Sequence, residues 1–122
     1  MPSLYRSLAF SAIVVSQFLF SPVTVAEEGD AVYLAEGKSL AFTRKQGNCL
    51  ACHQIEGGTA NGNIGPPLTQ MKLRFPDKAK LRAQIANATV ANPASRMPPF
   101  EKHGILTSAE VDKVTAFIHS LK

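Results

Sequence analysis

The chain has 122 residues, with 13 Lys and Arg against 9 Asp and Glu and a formal net charge of +4. That length holds one domain, and so small an excess of positive charge excludes the dense basic stripe of a nucleic-acid binder. Its two cysteines lie three residues apart, at 49 and 52, which excludes a disulfide framework, because a bridge between them would close almost no loop.

Residues 1–26, MPSLYRSLAFSAIVVSQFLFSPVTVA, have the layout of a secretory signal peptide. Arg6 supplies a positive start, and Leu8 to Phe20 an apolar stretch. Pro22 breaks the helix, and Thr24 and Ala26 place small residues before a cut after Ala26. The apolar stretch is 13 residues long, short of the ~20 that a bilayer span needs. The expected mature chain is therefore 27–122, with no membrane span. Arg6 is the sole charged residue of the leader, so the mature charge falls by one to +3. A mildly basic surface suits docking to an acidic protein.

Helical spacing of Tyr33, Leu34, Leu40 and Ala41 predicts an amphipathic helix over 31–46, with Asp30 as its N-cap and Gly47-Asn48 as its end. Gly37 lies mid-face, at a cost of roughly 1 kcal/mol against alanine, and is read as a point of close approach by another helix. Residues 57–67, GGTANGNIGPP, hold four glycines and two prolines and read as loop. A short helix over 68–75 is expected to stop at Pro76. Another over 78–88 follows Asp77, with Leu81 and Ile85 on one face. The stretch NPASRMPPF, 92–100, carries three prolines and reads as irregular.

The last helix has the sharpest boundaries. Thr107 and Glu110 form a T-x-x-E capping box, with Leu106 and Val111 at the flanking staple positions. Val111, Val114, Ile118 and Leu121 make one apolar stripe, and Phe117 lies beside it. No window alternates as a strand does. The expected fold is all-α, three to five helices with long loops wrapped around a central group, since a chain this small has little core of its own.

That group is read from CLACH, residues 49–53. A structural zinc site needs four ligands, and neither His103 nor His119 has a partner at short spacing. A thioredoxin-like redox pair needs a βαβ context, which is missing. C-x-x-C-H is the attachment signature of c-type haem: two thiols add to the vinyl groups, and the adjacent imidazole is carried under the ring. Cys49 and Cys52 are the expected attachment points for one haem c, and His53 the first iron ligand. The sixth position is either open or filled by Met71, Met97, His103 or His119. Met97, 44 residues after His53 in a loop braced by Pro93, Pro98 and Pro99, is favoured. Met71 reads as core, and His119 as a partly exposed residue beside the apolar stripe. His/Met ligation raises the potential and fills both axial positions, which points to electron transfer.

From about Gly37 to Leu121 the order of helix, C-x-x-C-H, G-P-x-L (Gly65 to Leu68), methionine loop and helix resembles the class I cytochromes c. Within them, GNCLACHQI, GNIGPPL, RFPD, NPASRMPPF and HGILTSAEV are similar to SoxX, the monohaem subunit of bacterial thiosulfate-oxidising systems. The resemblance implies His53 and Met97 as axial ligands and Pro66 as the carbonyl that orients His53. It implies a periplasmic protein paired with a SoxA-type haem subunit as a heterodimer. That pair, an L-cysteine S-thiosulfotransferase, oxidatively couples thiosulfate to a cysteine of the SoxYZ carrier. On that basis this chain is not catalytic alone; it passes electrons from the SoxA haem to a small cytochrome c. The alternatives are a free-standing periplasmic shuttle cytochrome and a haem enzyme with a labile sixth ligand. One departure is Glu101-Lys102, where the resemblance leads one to expect a glycine. Phe100 and Ile105 are expected to close the core, and Lys72, Arg74, Lys78, Lys80 and Arg82 to form a solvated basic face.

Overall fold

The computed structural model describes residues 25–122, so the leader read in 1–26 lies, except for its last two residues, outside the described residues. Four α-helices follow in order: α1 Val25–Phe42, α2 Met71–Arg74, α3 Lys78–Ala86 and α4 Ser108–Ser120. A 3-10 turn at Cys49–Ala51 lies between α1 and α2. Among the described residues there is no strand, and no helix is long and apolar enough to cross a membrane.

Helix α4 is the centre of the molecule. Its capping box is complete: Thr107 Oγ1 accepts from the Glu110 amide at 3.3 Å, and Glu110 Oε2 accepts from the Thr107 amide at 2.8 Å. Val111, Val114 and Ile118 are buried as the stripe requires, and so are Thr115, Ala116 and Phe117. The buried face is wider than one stripe because α1, α2 and α3 all pack against α4. Thr115, the one buried polar residue of the helix, donates its hydroxyl to the Val111 carbonyl at 2.7 Å, which satisfies it inside its own helix.

Helix α1 crosses α4 at Gly37. A Cβ there would overlap the Lys113 carbonyl and lie 3.0 Å from Phe117 Cβ, so the close approach expected of this glycine is made on the backbone of α4. The crossing is bordered by a Lys113–Glu36 ion pair at 2.6 Å and by the Phe42 and Phe117 rings, edge to face at 5.9 Å. The bounds of α1 differ from the expectation at both ends. Asp30 lies inside the helix and is no cap. The helix stops at Phe42, and the Gly47 amide reaches back to the Leu40 carbonyl at 3.0 Å.

Two other helices are shorter than their sequence patterns. Residues 68–70 stay out of α2 because the Leu68 amide donates to the Gln54 carbonyl at 2.9 Å, and Gln70, at φ 51°, starts the helix from the left-handed region. Asp77 caps α3 as expected, accepting from the Ala79 amide at 2.9 Å. Asn87 ends it two residues early by turning its own side chain to the Thr89 amide. The chain end is sewn back onto α2. The Met71 amide donates to the Leu121 carbonyl, and His119 Nε2 donates to the Phe75 carbonyl, both at 3.0 Å.

Candidate haem site

The CLACH segment is a single tight turn. Asn48 enters it in the left-handed region, at φ 48°. The Cys49 carbonyl then accepts from the amides of Cys52 and His53 at 3.2 and 2.9 Å. Such a turn carries both thiols and the imidazole on one short piece of backbone. The thiols are not joined to each other. Burial pushes the Cys49 thiol up to about 11, with the neighbouring Cys52 adding to the effect.

Two neighbours hold the His53 ring. Nδ1 lies 2.7 Å from the Pro66 carbonyl oxygen. A carbonyl only accepts, so Nδ1 carries the proton and Nε2 keeps its lone pair. Gly65 lies flat against the same ring: a Cβ there would meet Cε1, Nδ1 and Nε2, with Nδ1 at 2.6 Å. The loop is fixed in place by the Gly65 amide, which donates to the Cys52 carbonyl at 2.8 Å, and by the Gly62 amide, which donates to the Leu50 carbonyl at 2.7 Å. Gly62 also packs on the Ala51–Cys52 peptide, where a Cβ has no room. Sequence reading found Pro66 through the G-P-x-L resemblance but took Gly62 and Gly65 only as loop residues. The signal was there in GNIG directly before the prolines.

All five residues singled out in the sequence, Cys49, Cys52, His53, Pro66 and Met97, line one cavity of about 640 Å³. Its floor is the apolar core, with Met71, Leu81, Ile85, Leu106, Val114 and Ile118 among its walls. Met97 is half-buried, and its amide donates to Ser95 Oγ at 3.2 Å. The Asn92 side chain caps the same loop by accepting from the Ala94 amide at 3.1 Å. Met71 also lines the cavity, 1 % exposed, with Arg74 Nη1 3.5 Å from its sulfur. His103 and His119 do not line it. His119 is half-buried, with its Nε2 engaged by Phe75.

The chemistry of the walls fits a haem. The volume lies within the ~300–1,000 Å³ of small-molecule sites, and the walls are mainly apolar. The charged side chains among them are Arg44, Arg74 and Arg96, all cationic, which suits a flat apolar group bearing carboxylates. Among the described residues no three His, Cys, Asp or Glu side chains cluster. Two surface expectations change. Phe100 closes the core at 5 % exposed, but Ile105 is 37 % exposed at the cavity edge, where the chain turns out toward α4. The basic run is not one solvated face. Lys72, Arg74, Lys78 and Lys80 are exposed, Arg74 donating to the Pro67 carbonyl at 2.6 Å, whereas Arg82 is half-buried and tied to acidic partners.

Comparison with known proteins agrees with this geometry. The cytochrome c family profile matches residues 26–122. An uncharacterised lipoprotein of Aquifex aeolicus (strain VF5) is 35 % identical over 130 residues, covering 92 % of this chain and 63 % of that one. The chain thus spans just under two thirds of that relative's length. Among solved structures, a chain of SoxXA from P. pantotrophus superposes with a TM-score of 0.65 at 31 % identity, over 72 % of this chain and 80 % of that one. The chain belongs to the cytochrome c family, and within it to the class I cytochromes of SoxX type. Cytochromes c hold their haem covalently through cysteine thiols.

Proposed function

We propose that this protein is a periplasmic electron-transfer subunit of a thiosulfate-oxidising complex, paired with a SoxA-type haem subunit as a heterodimer. In that role it carries one haem c, bound through Cys49 and Cys52, with His53 and Met97 as axial ligands. It receives electrons from the partner's haem, while thiosulfate is coupled to the cysteine of a SoxYZ carrier. It passes them to a small cytochrome c. Export with cleavage after Ala26 belongs to the same reading.

The observation that carries it is the single cavity joining Cys49, Cys52 and His53 with Met97. Haem iron supplies a one-electron couple there. The chain's own residues do the rest. Pro66 and Gly65 fix the His53 ring with Nε2 bare, and the Asn92 and Ser95 turns hold the methionine loop. The cationic wall receives carboxylates, and the buried apolar floor keeps water out, which limits reorganisation when charge changes. The likeness to a SoxXA chain supports the partner assignment.

Two experiments test this. Co-expression with a SoxA-type subunit followed by size exclusion should give a heterodimer; elution only as a monomer supports the free-standing shuttle. The ferric protein should show a long-wavelength Fe–S(Met) charge-transfer band that disappears in Met97→Ala. A band that survives the substitution removes Met97 as the ligand.

A further inference from the structure

The segment that returns the methionine loop to the core is tied down at Glu101, part of the Glu101-Lys102 pair where the family resemblance led one to expect a glycine. The Glu101 amide donates to the Ala86 carbonyl at the end of α3, at 3.1 Å. Its Oε2 accepts from Arg82 Nη1 at 3.2 Å. The same guanidinium donates from Nε to Asp112 Oδ1 at 2.5 Å, and from Nη2 to Ser108 Oγ at 2.7 Å. One planar group therefore joins α3, the segment four residues beyond Met97, and the first two turns of α4. Asp112 and then Glu101 hold Arg82 above its ordinary range. A rigid fork with fixed donor directions sets geometry in a way that the point charge of a lysine does not. Phe100, the neighbour of Glu101, is packed in the cavity wall, so a shift of Glu101 reaches the loop through one residue.

We propose that Arg82, acting through Glu101, is a positioning residue for Met97: it pins the return end of the loop and sets how readily the Met97 side chain leaves the cavity. This rests on the reading of Met97 as the iron ligand. Opening of the loop is read by titrating the ferric holoprotein with free imidazole, which binds only when the methionine is off, so that apparent affinity scales with the open fraction. Glu101→Gln keeps the shape of the side chain and leaves Arg82 its bonds to Asp112 and Ser108. It should tighten imidazole binding by roughly three- to thirtyfold, and Arg82→Gln should do at least as much. The control is Lys113→Ala, which breaks the Lys113–Glu36 pair on the α1 side of α4, with a cation as exposed as Arg82. It should lower the urea midpoint of the helical signal but leave imidazole affinity within about twofold of the wild type.

Imidazole affinity within about twofold of the wild type in both Glu101→Gln and Arg82→Gln overturns the proposal. So does an increase in Lys113→Ala equal to theirs, which would make loop opening a matter of global stability. If Arg82→Gln fails to take up haem, Glu101→Gln alone decides. A charge-transfer band absent from the wild type, or retained in Met97→Ala, removes the ligand assignment and this proposal with it. A band lost in Met97→Ala beside unchanged imidazole binding in Glu101→Gln removes only this proposal.

Discussion

His53 is held by its neighbours before any iron is considered, by a hydrogen bond to Pro66 on one nitrogen and the flat contact of Gly65 on the ring. Gly65→Ala puts a methyl into the imidazole and should cost about 1–3 kcal/mol, with a shift in the haem absorption bands as the ring turns. Gly104→Ala is the comparison. Its site is open, but φ is +65°, so it should cost about 1–2 kcal/mol from backbone strain alone and leave the spectrum unchanged. A second residue-scale prediction concerns Glu110, whose carboxyl is held below its ordinary range by the Thr107 amide and hydroxyl. A lowered folded-state value means that its contribution is fully present above the unfolded value of ~4.3 and is lost as pH falls through the folded value. The stability gap between wild type and Glu110→Gln, followed by urea unfolding, should therefore be constant near neutrality and close below about pH 4. A gap that widens on acidification would contradict this. Local pairs such as Thr107 with Glu110 were legible in the sequence because both partners lie within one helical turn.

At the scale of elements, the α1–α4 crossing depends on one missing side chain. Gly37→Ala must push α1 off the Lys113 carbonyl and should destabilise by roughly 1–3 kcal/mol. Gly29→Ala, in the same helix with nothing within 4 Å of the added Cβ, should instead stabilise by up to about 1 kcal/mol. Urea midpoints of the two variants should move in opposite directions; a shared direction would mean that α1 does not pack as described. Helix identity was readable from apolar spacing, and the role of Gly37 was readable because a mid-face glycine has few other uses. The ends of helices were not. The Gly47–Leu40 bond that closes α1, the Leu68–Gln54 bond that shortens α2 and the Asn87 turn that ends α3 all set boundaries against apolar patterns that continued past them. The Arg82 cluster was read as part of a solvated run for a related reason, since its acceptors lie 19 to 30 residues away.

For the molecule as a whole, the cavity is the centre around which the core is arranged, and six residues of the core cluster line it alongside Phe100. With nothing to cover them, the apolar faces of these core residues would lie open to water, at ~25 cal/mol per Å² of apolar surface, in a chain too small to build a second core. Protein made without haem should therefore lose much of its helical circular dichroism, bind ANS and unfold without a cooperative urea transition. A cooperative apoprotein transition with native helicity would show that the core stands alone. The need for a central group was legible from the small chain and its long loops, and its chemistry from CLACH. The cationic wall of Arg44, Arg74 and Arg96 was not, because those residues are scattered along the sequence and meet only at the cavity.

The contact of α1 with α4 also fixes an order of events. These are the first and last helices of the described chain, so α1 has no surface to lie on until α4 has been made. Roughly 55 residues separate His53 from Ser108, so CLACH leads the last helix through any channel that the chain leaves by. Until that helix docks, the two thiols of CLACH are part of an open chain, within reach of whatever machinery joins them to haem. Haem joined at that stage also supplies the group around which the last helix packs, with Cys49 left half-buried in the cavity wall.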